Sequence, residues 1–177
     1  MTKPRRDTNL PGLVALHRDA KFLLSEGRNH GALLVLLCIV DGLASIKYPS
    51  MARNENRKRY CNYLRWVFSN NVWPDVRFNL AAPAGKCRME EILYNFFRNP
   101  IVHEGANLDV DDGWDGPIRI DWESKGALMD VKAGVSVFSA KKIIALLEQV
   151  VFLGVWESMG MPIQVTDEHC PHPEDSG

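Results

Sequence analysis

The sequence has no excess of charge of either sign, since 21 lysines and arginines stand against 22 aspartates and glutamates, for a net charge of -1. A protein that covers a long duplex with its whole surface is usually strongly basic. Any contact with nucleic acid is therefore expected to be local. The chain also lacks a C-x-x-C pair, because its four cysteines, at positions 38, 61, 87 and 170, are irregularly spaced. This spacing indicates a reducing compartment and no disulfide framework.

Long hydrophobic runs are missing as well. The longest, residues 31–40, has ten residues and ends at Asp41, which is about half of the length that a membrane span needs. Charged residues such as Arg18 and Asp19 interrupt the apolar run that a secretory leader would require. We therefore expect a cytoplasmic protein that does not engage a membrane.

The motifs of common nucleotide-dependent enzymes, hydrolases and metal sites are also absent. The sequence contains no P-loop, no dinucleotide-binding glycine motif and no G-x-S-x-G. His169, Cys170 and His172 offer three zinc ligands where a structural site needs four. The acidic residues 109–116 fail the calcium-loop template, because the fifth position is Gly113. We expect neither a metal nor another cofactor.

A series of helical patterns is what the chain does contain. Hydrophobic residues make up 46% of it and charged residues 24%, which is typical of a globular domain with a sizeable core. Apolar residues at helical spacing predict helices over residues 13–26, 30–48, 56–70 and 89–97. The second of these is apolar nearly all round, which indicates the central helix. Prolines and a glycine predict a loop over residues 71–85.

The pattern changes after this helical half. Residues 105–116 are acidic and turn-rich, and residues 117–123 alternate like a strand that closes a hairpin onto 127–131. A third short strand is predicted at 135–138 and a last helix at 139–159, followed by an unfolded acidic tail. The expected fold is mainly α: one domain over residues 1–163, an antiparallel bundle of about five helices with a small β insertion at 117–138, and a disordered tail at 164–177.

The most basic stretch of the chain lies in the third predicted helix. It combines the cations Arg57, Lys58, Arg59 and Arg65 with Tyr60, Tyr63 and Trp66. Such a face can hold phosphates while its rings stack on bases. The alternative is a solvated helix face whose aromatic rings lie in the core. If the chain binds RNA, this is the surface that we expect to face it.

A charged residue, Asp41, also falls in the predicted central helix. A buried carboxylate has to be paired or has to shift its pKa. The simpler interpretation is that Asp41 lies at the surface of the bundle or pairs with a neighbouring arginine. The alternative is that it lines a functional site.

The end of the fourth predicted helix carries Arg98, Asn99 and, five residues after the arginine, His103. The bare spacing is weak evidence, because about one such arginine and histidine pair is expected by chance in this chain. Its context is more informative, since the motif closes the sharpest amphipathic helix and has an asparagine directly after the arginine. In an α-helical bundle this pattern resembles the HEPN (higher eukaryotes and prokaryotes nucleotide-binding) superfamily, whose catalytic members carry an arginine and a histidine with four to six residues between them.

The resemblance implies a metal-independent endoribonuclease of the kind used in toxin or phage-defence systems. Arg98 would hold the phosphate, His103 would transfer protons, and Asn99 would orient the imidazole or bind phosphate. On an ideal α-helix, residues five apart point about 140° away from each other. A bend at Pro100, or a second copy of the helix in a homodimer with a composite site, would bring the two together.

Two alternatives to the ribonuclease remain open at this point. The first is a catalytically inactive HEPN module that binds a nucleotide, a nucleic acid or a partner protein. The second is an unrelated helical protein, in which the cations Arg98 and His103 only stabilise the end of their helix. A toxin-like ribonuclease further implies an antitoxin or regulatory partner.

Overall fold

The fold is described from a computed structural model, which covers residues 10–71, 77–82, 84–104, 118–124 and 126–160. Four long helices dominate it: α1 (Leu10–Ser25), α2 (Asn29–Lys47), α3 (Asn56–Asn71) and α5 (Ala140–Ser158). A shorter run, α4, begins at Met89–Ile92, and a 3-10 turn at Arg53–Glu55 precedes α3. The mainly α-helical class with a small β-hairpin before the last helix is confirmed.

Helix α2 lies at the centre of the bundle, as its composition predicts. It packs against α1, α3 and α5, and eight of its residues are buried: Ala32, Leu33, Leu36, Leu37, Ile39, Val40, Leu43 and Ala44. By length and composition alone it is the one helix among the described residues that could cross a membrane. Its burial within the bundle is that of a core helix.

The neighbouring helices approach each other closely where glycine allows it. At Gly154 in α5 an added Cβ would lie 1.8 Å from the hydroxyl oxygen of Tyr63 in α3. That hydroxyl donates a hydrogen bond to the carbonyl of Val150, at 3.4 Å. The contact fixes α3 against α5 and thereby sets the orientation of the basic stretch.

Helix α4 changes its winding after one α-helical turn. The backbone is π-helical over Leu93–Arg98 and again over Pro100–Glu104. The amide of Asn99 bonds to the carbonyl of Tyr94, five residues earlier. Proline has no amide hydrogen and disfavours a regular α-turn around itself. Around Pro100 the helix therefore continues with wider turns than the α-helical pattern of residues 89–97 predicts.

A short two-stranded hairpin begins inside the segment that the sequence predicts to be a loop. Strand β1 (Arg77–Asn79) pairs antiparallel with β2 (Lys86–Arg88), so the loop assignment for residues 71–85 is wrong at residues 77–79. The strands are only three residues long, too short for an alternating pattern to be recognised in the sequence.

The second sheet has three strands, β3 (Ile118–Asp121), β4 (Met129–Lys132) and β5 (Val135–Ser139), in the order β3-β5-β4. The hairpin joins β4 to β5 through Ala133 and Gly134, which have φ angles of 51° and 78°. Two positive φ values are typical of the two-residue turns that match the twist of a hairpin. Strand β3 instead pairs in parallel with β5. The predicted hairpin between residues 117–123 and 127–131 is therefore wrong.

Two single residues have unexpected surroundings. Ser139 precedes α5, but its hydroxyl donates to the carbonyl of Ser124, at 2.9 Å, and does not cap the helix. Cys38 is exposed, although its sequence neighbours are apolar. The acidic segment 105–116 and the tail 164–177, with its three candidate zinc ligands, lie outside the described residues.

Candidate functional site

The centre of the site is an ion pair between α2 and α4. Arg98 Nε donates a hydrogen bond to Asp41 Oδ2, at 3.0 Å, and Arg98 Nη2 contacts the same oxygen. The arginine side chain is 8% exposed and the aspartate side chain 25%. Of the two forms of the simpler interpretation, pairing with a neighbouring arginine is the one observed, and the partner is the arginine of the HEPN-like motif.

Two more groups hold the guanidinium in place. Arg98 Nη1 donates to Asn99 Oδ1, at 3.3 Å, and the guanidinium carbon lies 5.4 Å from the centre of the Tyr94 ring. An aromatic face attracts a cation, most strongly where water is excluded. Asn99 thus contacts the motif's arginine.

A buried tyrosine completes the surroundings of the pair. Tyr60 of α3 is fully buried and its ring meets that of Tyr94 edge-on, with 5.3 Å between centroids. Burial raises the pKa of Tyr60 well above its ordinary value, and the Asp41 carboxylate raises it further while Arg98 opposes this. Tyr60 is therefore a neutral hydroxyl beside two charges.

The position of His103 follows from the winding of α4. Its backbone belongs to the π-helical turn Pro100–Glu104, while its side chain lies outside the described part of the chain. In a π-helix, hydrogen bonds join residues five apart, whereas in an α-helix they join residues four apart. Arg98 and His103 are five residues apart. This interval matches the π-helical turns before and after Asn99 better than it matches an ideal α-helix.

A second site lies on the outer face of α3. It is an open groove of about 600 Å³, and it is lined by Asn54, Glu55, Arg57, Lys58, Cys61, Asn62, Arg65 and Glu91. Three of the four cations of the predicted RNA-binding surface thus share this groove. The fourth, Arg59, does not line it and donates from Nη2 to Asn56 Oδ1, at 2.7 Å.

Carboxylates offset part of the positive charge in this basic groove. Lys58 pairs with Glu55 at 3.2 Å, and Arg65 Nε pairs with Glu90 Oε1 at 3.0 Å. Glu90 is buried with a side chain 6% exposed, while the Arg65 side chain is 48% exposed. The groove therefore exposes cationic side chains to solvent, while carboxylates beside or beneath them hold these side chains in place.

The aromatic rings of α3 do not line the groove. Tyr60 and Tyr63 are in the core, and the Trp66 ring is covered by Lys47 Nζ, 3.5 Å from its centroid. For these rings the alternative interpretation, a solvated basic face with aromatics inside, is correct.

The two described cysteines near these sites differ in exposure. Cys38 is exposed on α2, and burial of part of its side chain together with the Asp41 charge raises its pKa. Cys61 is buried in the groove wall, where burial and Glu90 raise its pKa to about 11. A thiolate is the reactive form of cysteine. Neither environment activates a thiol as a nucleophile.

Sequence reasoning missed Tyr60 as a neighbour of the ion pair, although it named the residue as a base-stacking ring. The available signal was its position on the apolar side of α3, which predicts a buried hydroxyl in need of a partner. In the described part of the chain, no three His, Cys, Asp or Glu residues form a group that could hold a metal ion. No protein-family model, no curated protein and no solved structure matches the chain.

Proposed function

We propose that the protein is a metal-independent endoribonuclease of HEPN type. The observation that carries the proposal is the polar cluster of Asp41, Arg98 and Asn99 between two helices of the bundle. Burying charged groups in a helix interface costs free energy, and such clusters are concentrated at sites of recognition and catalysis. Its arginine and asparagine are those of the HEPN-like motif.

The chemistry divides between two groups of the motif. The 2′-hydroxyl of RNA attacks the adjacent phosphorus, the bond from phosphorus to the 5′-oxygen breaks, and the products are a 2′,3′-cyclic phosphate and a 5′-hydroxyl. His103 takes the proton from the 2′-hydroxyl or returns one to the leaving 5′-oxygen, because imidazole titrates near neutral pH. Arg98 stabilises the charge on the phosphorane oxygens. Asn99, which contacts Arg98, keeps the guanidinium oriented.

A homodimer supplies the second half of this proposal. Arg98 is buried, and one copy of α4 offers a single guanidinium. Two copies related by a two-fold axis would build one cleft from both motifs. We place the reaction in the cytoplasm, with an antitoxin or regulatory protein as a further partner.

The burial of Arg98 favours a second candidate function. A guanidinium that is 8% exposed and already paired with Asp41 has little surface left for a phosphate. An inactive HEPN module that binds a nucleotide, a nucleic acid or a partner protein would need no free arginine at this position.

An assay of RNA cleavage in the presence of EDTA separates the two candidates. We expect the wild-type protein to cut RNA, and His103→Ala to lose activity by about 10²-fold to 10⁴-fold. Lys142→Ala, an exposed residue of α5, is the control and should cut like the wild type. Equal cutting by the His103 variant, or no cutting by the wild type, would leave the binding module as the better description.

We further propose that the basic groove binds the RNA backbone. Arg57, Lys58 and Arg65 line it, and Arg65 has half of its side chain in solvent. Phosphate contacts of this kind carry affinity without reading sequence, and each lost contact lowers the salt dependence of binding.

The groove is tested by removing its cations in an inactive background. With His103→Ala, the added pair Arg57→Ala and Lys58→Ala should weaken RNA binding about tenfold and reduce the slope against salt, as measured by fluorescence anisotropy. The charge-matched control is Lys141→Ala with Lys142→Ala, on the exposed side of α5. Equal losses for the two pairs would mean that net charge alone sets the affinity.

A further inference from the structure

Two buried polar atoms beside Arg98 have no hydrogen-bond partner among the described residues. They are the hydroxyl oxygen of Tyr60 and Oδ1 of Asp41. Both contacts from Arg98 go to the other aspartate oxygen, Oδ2. A buried polar group without a hydrogen-bond partner costs free energy, and such groups are rare in native structures.

We propose that Tyr60 is a positioning residue, whose hydroxyl binds Asp41 when Arg98 turns from the carboxylate to a phosphate. This inference rests on the proposed function, because a phosphate ligand gives Arg98 its reason to leave Asp41. Tyr60 itself does not touch the RNA. It acts by stabilising the state in which the guanidinium is available.

The need for such a residue follows from the burial of the pair. Oδ1 of Asp41 is a buried atom of a side chain that is 25% exposed, and removing the cation from this carboxylate is destabilising. A nearby hydroxyl that keeps its proton can donate to the carboxylate instead. Tyr60 is such a donor, because burial and the Asp41 charge raise its pKa.

The side chains of Tyr60, Arg98 and Asp41 lie in one neighbourhood, because the Tyr60 ring and the Arg98 guanidinium both lie against the Tyr94 ring and Arg98 contacts Asp41. The terminal torsion of an aspartate side chain is broad, so its carboxylate can rotate at little cost. The charges of Asp41 and Arg98 both act on the pKa of Tyr60, in opposite directions. The nearest serine on α2, Ser45, is already engaged, since its hydroxyl donates to the main-chain carbonyl of Asp41 at 2.9 Å.

Helix α3 also supplies a matched control, one turn away from Tyr60. Tyr63 is a buried tyrosine of the same helix, but its hydroxyl already has a partner, the carbonyl of Val150. Removing the hydroxyl of Tyr63 deletes a hydrogen bond. Removing that of Tyr60 deletes an unpartnered group.

A double-mutant cycle on the full chain tests the inference without any enzyme assay. Tyr60→Phe should leave the urea midpoint of the wild type unchanged or raise it. In the Arg98→Met background, where Asp41 has lost its cation, the same change should lower the folding equilibrium constant by a further factor of about ten. Tyr63→Phe should lower the midpoint equally in both backgrounds.

Additive effects of Tyr60→Phe and Arg98→Met would overturn the inference. If Arg98→Met does not fold, Arg98→Lys takes its place in the cycle, with the same pattern expected at a smaller coupling.

Cleavage kinetics provide the second readout. Tyr60→Phe should lower kcat about tenfold with KM within twofold of the wild type, because the freed arginine acts mainly in the transition state. Tyr63→Phe should lower the thermal midpoint and leave kcat unchanged. A cycle that couples in a protein that cuts no RNA would keep Tyr60 as a partner of Asp41 and overturn the endoribonuclease. A protein that cuts RNA but shows no coupling between Tyr60 and Arg98 would keep the endoribonuclease and overturn the role of Tyr60.

Discussion

Two arginine–carboxylate pairs tie α4 to the rest of the bundle, and they are built in opposite senses. In the Asp41–Arg98 pair the arginine is buried and the carboxylate side chain is 25% exposed, whereas in the Arg65–Glu90 pair the carboxylate is buried and the arginine is 48% exposed. Arg65 can therefore meet a phosphate as it stands. Arg98 has to give up a partner first, so the two sites differ in what binding costs.

The largest effect is expected when the acid of the more buried pair is removed. Asp41→Ala leaves the Arg98 cation without its carboxylate, which should lower the free energy of unfolding by about 3 kcal/mol in urea denaturation. Glu90→Ala, the corresponding change in the other pair, should cost only about 1 kcal/mol, because Arg65 returns to water. Equal losses would remove the contrast between the pairs.

A smaller difference is expected in the response to salt. The coupling energy of Arg65 and Glu90 in a double-mutant cycle should be about 0.5 kcal/mol and should shrink in 0.5 M NaCl, since one partner is exposed. The coupling of Asp41 and Arg98 should change little between the two salt concentrations. A salt-insensitive Arg65–Glu90 pair would indicate that its charges are as well shielded as those of the other pair.

The thiols next to each pair report on solvent access. In a protein with Cys87→Ser and Cys170→Ser, maleimide at pH 8 should label Cys38, which is exposed beside Asp41, roughly tenfold or more faster than Cys61. Burial and a pKa of about 11 protect Cys61. Mass spectrometry of the labelled peptides gives the order, and Cys38→Ser should abolish the fast phase.

The smallest effect is expected at a distance from both pairs, on α1. Burial lowers the pKa of His17 below its ordinary value of 6.5, with Lys21 acting in the same direction and Glu148 opposing it. The folded protein then binds fewer protons than the unfolded chain just below pH 6.5. Stability should therefore fall as the pH drops from 6.5 towards the folded pKa, and His17→Gln should flatten that slope in thermal melts.

The His17→Gln variant also separates the pH dependence of folding from the pH dependence of RNA cleavage. Any pH dependence of RNA cleavage that persists in His17→Gln belongs to the reaction and not to the stability of α1. A cleavage profile that disappears together with the stability slope would instead assign it to folding.

The features that the sequence predicted well depend on local patterns. The apolar periodicity of α1, α2, α3 and α5 identifies each helix, and the apolar composition of α2 predicts its central place. The arginine and asparagine of the motif were recognised because they are adjacent in the chain. Physical reasoning also predicted that Asp41 would pair with an arginine, since a buried carboxylate has few other options.

The remaining features depend on contacts between distant parts of the chain. Whether β3 pairs with β4 or with β5 is decided by long-range packing, which alternation within one strand does not contain. The choice of Arg98 as the partner of Asp41 joins residues 57 positions apart. Cys38 is exposed although its sequence neighbours are apolar, because α2 leaves one strip of its surface uncovered by the other helices.

The winding of α4 has a consequence for protein engineering. Grafting this motif onto an ordinary α-helical scaffold with its spacing intact would rotate position 103 about 140° from position 98. A transplant that preserves function would have to carry the π-helical turns Leu93–Arg98 and Pro100–Glu104 with it, or shorten the interval by one residue to four. The distance between the two residues along the chain is thus meaningful only together with the pitch of the backbone that bears them.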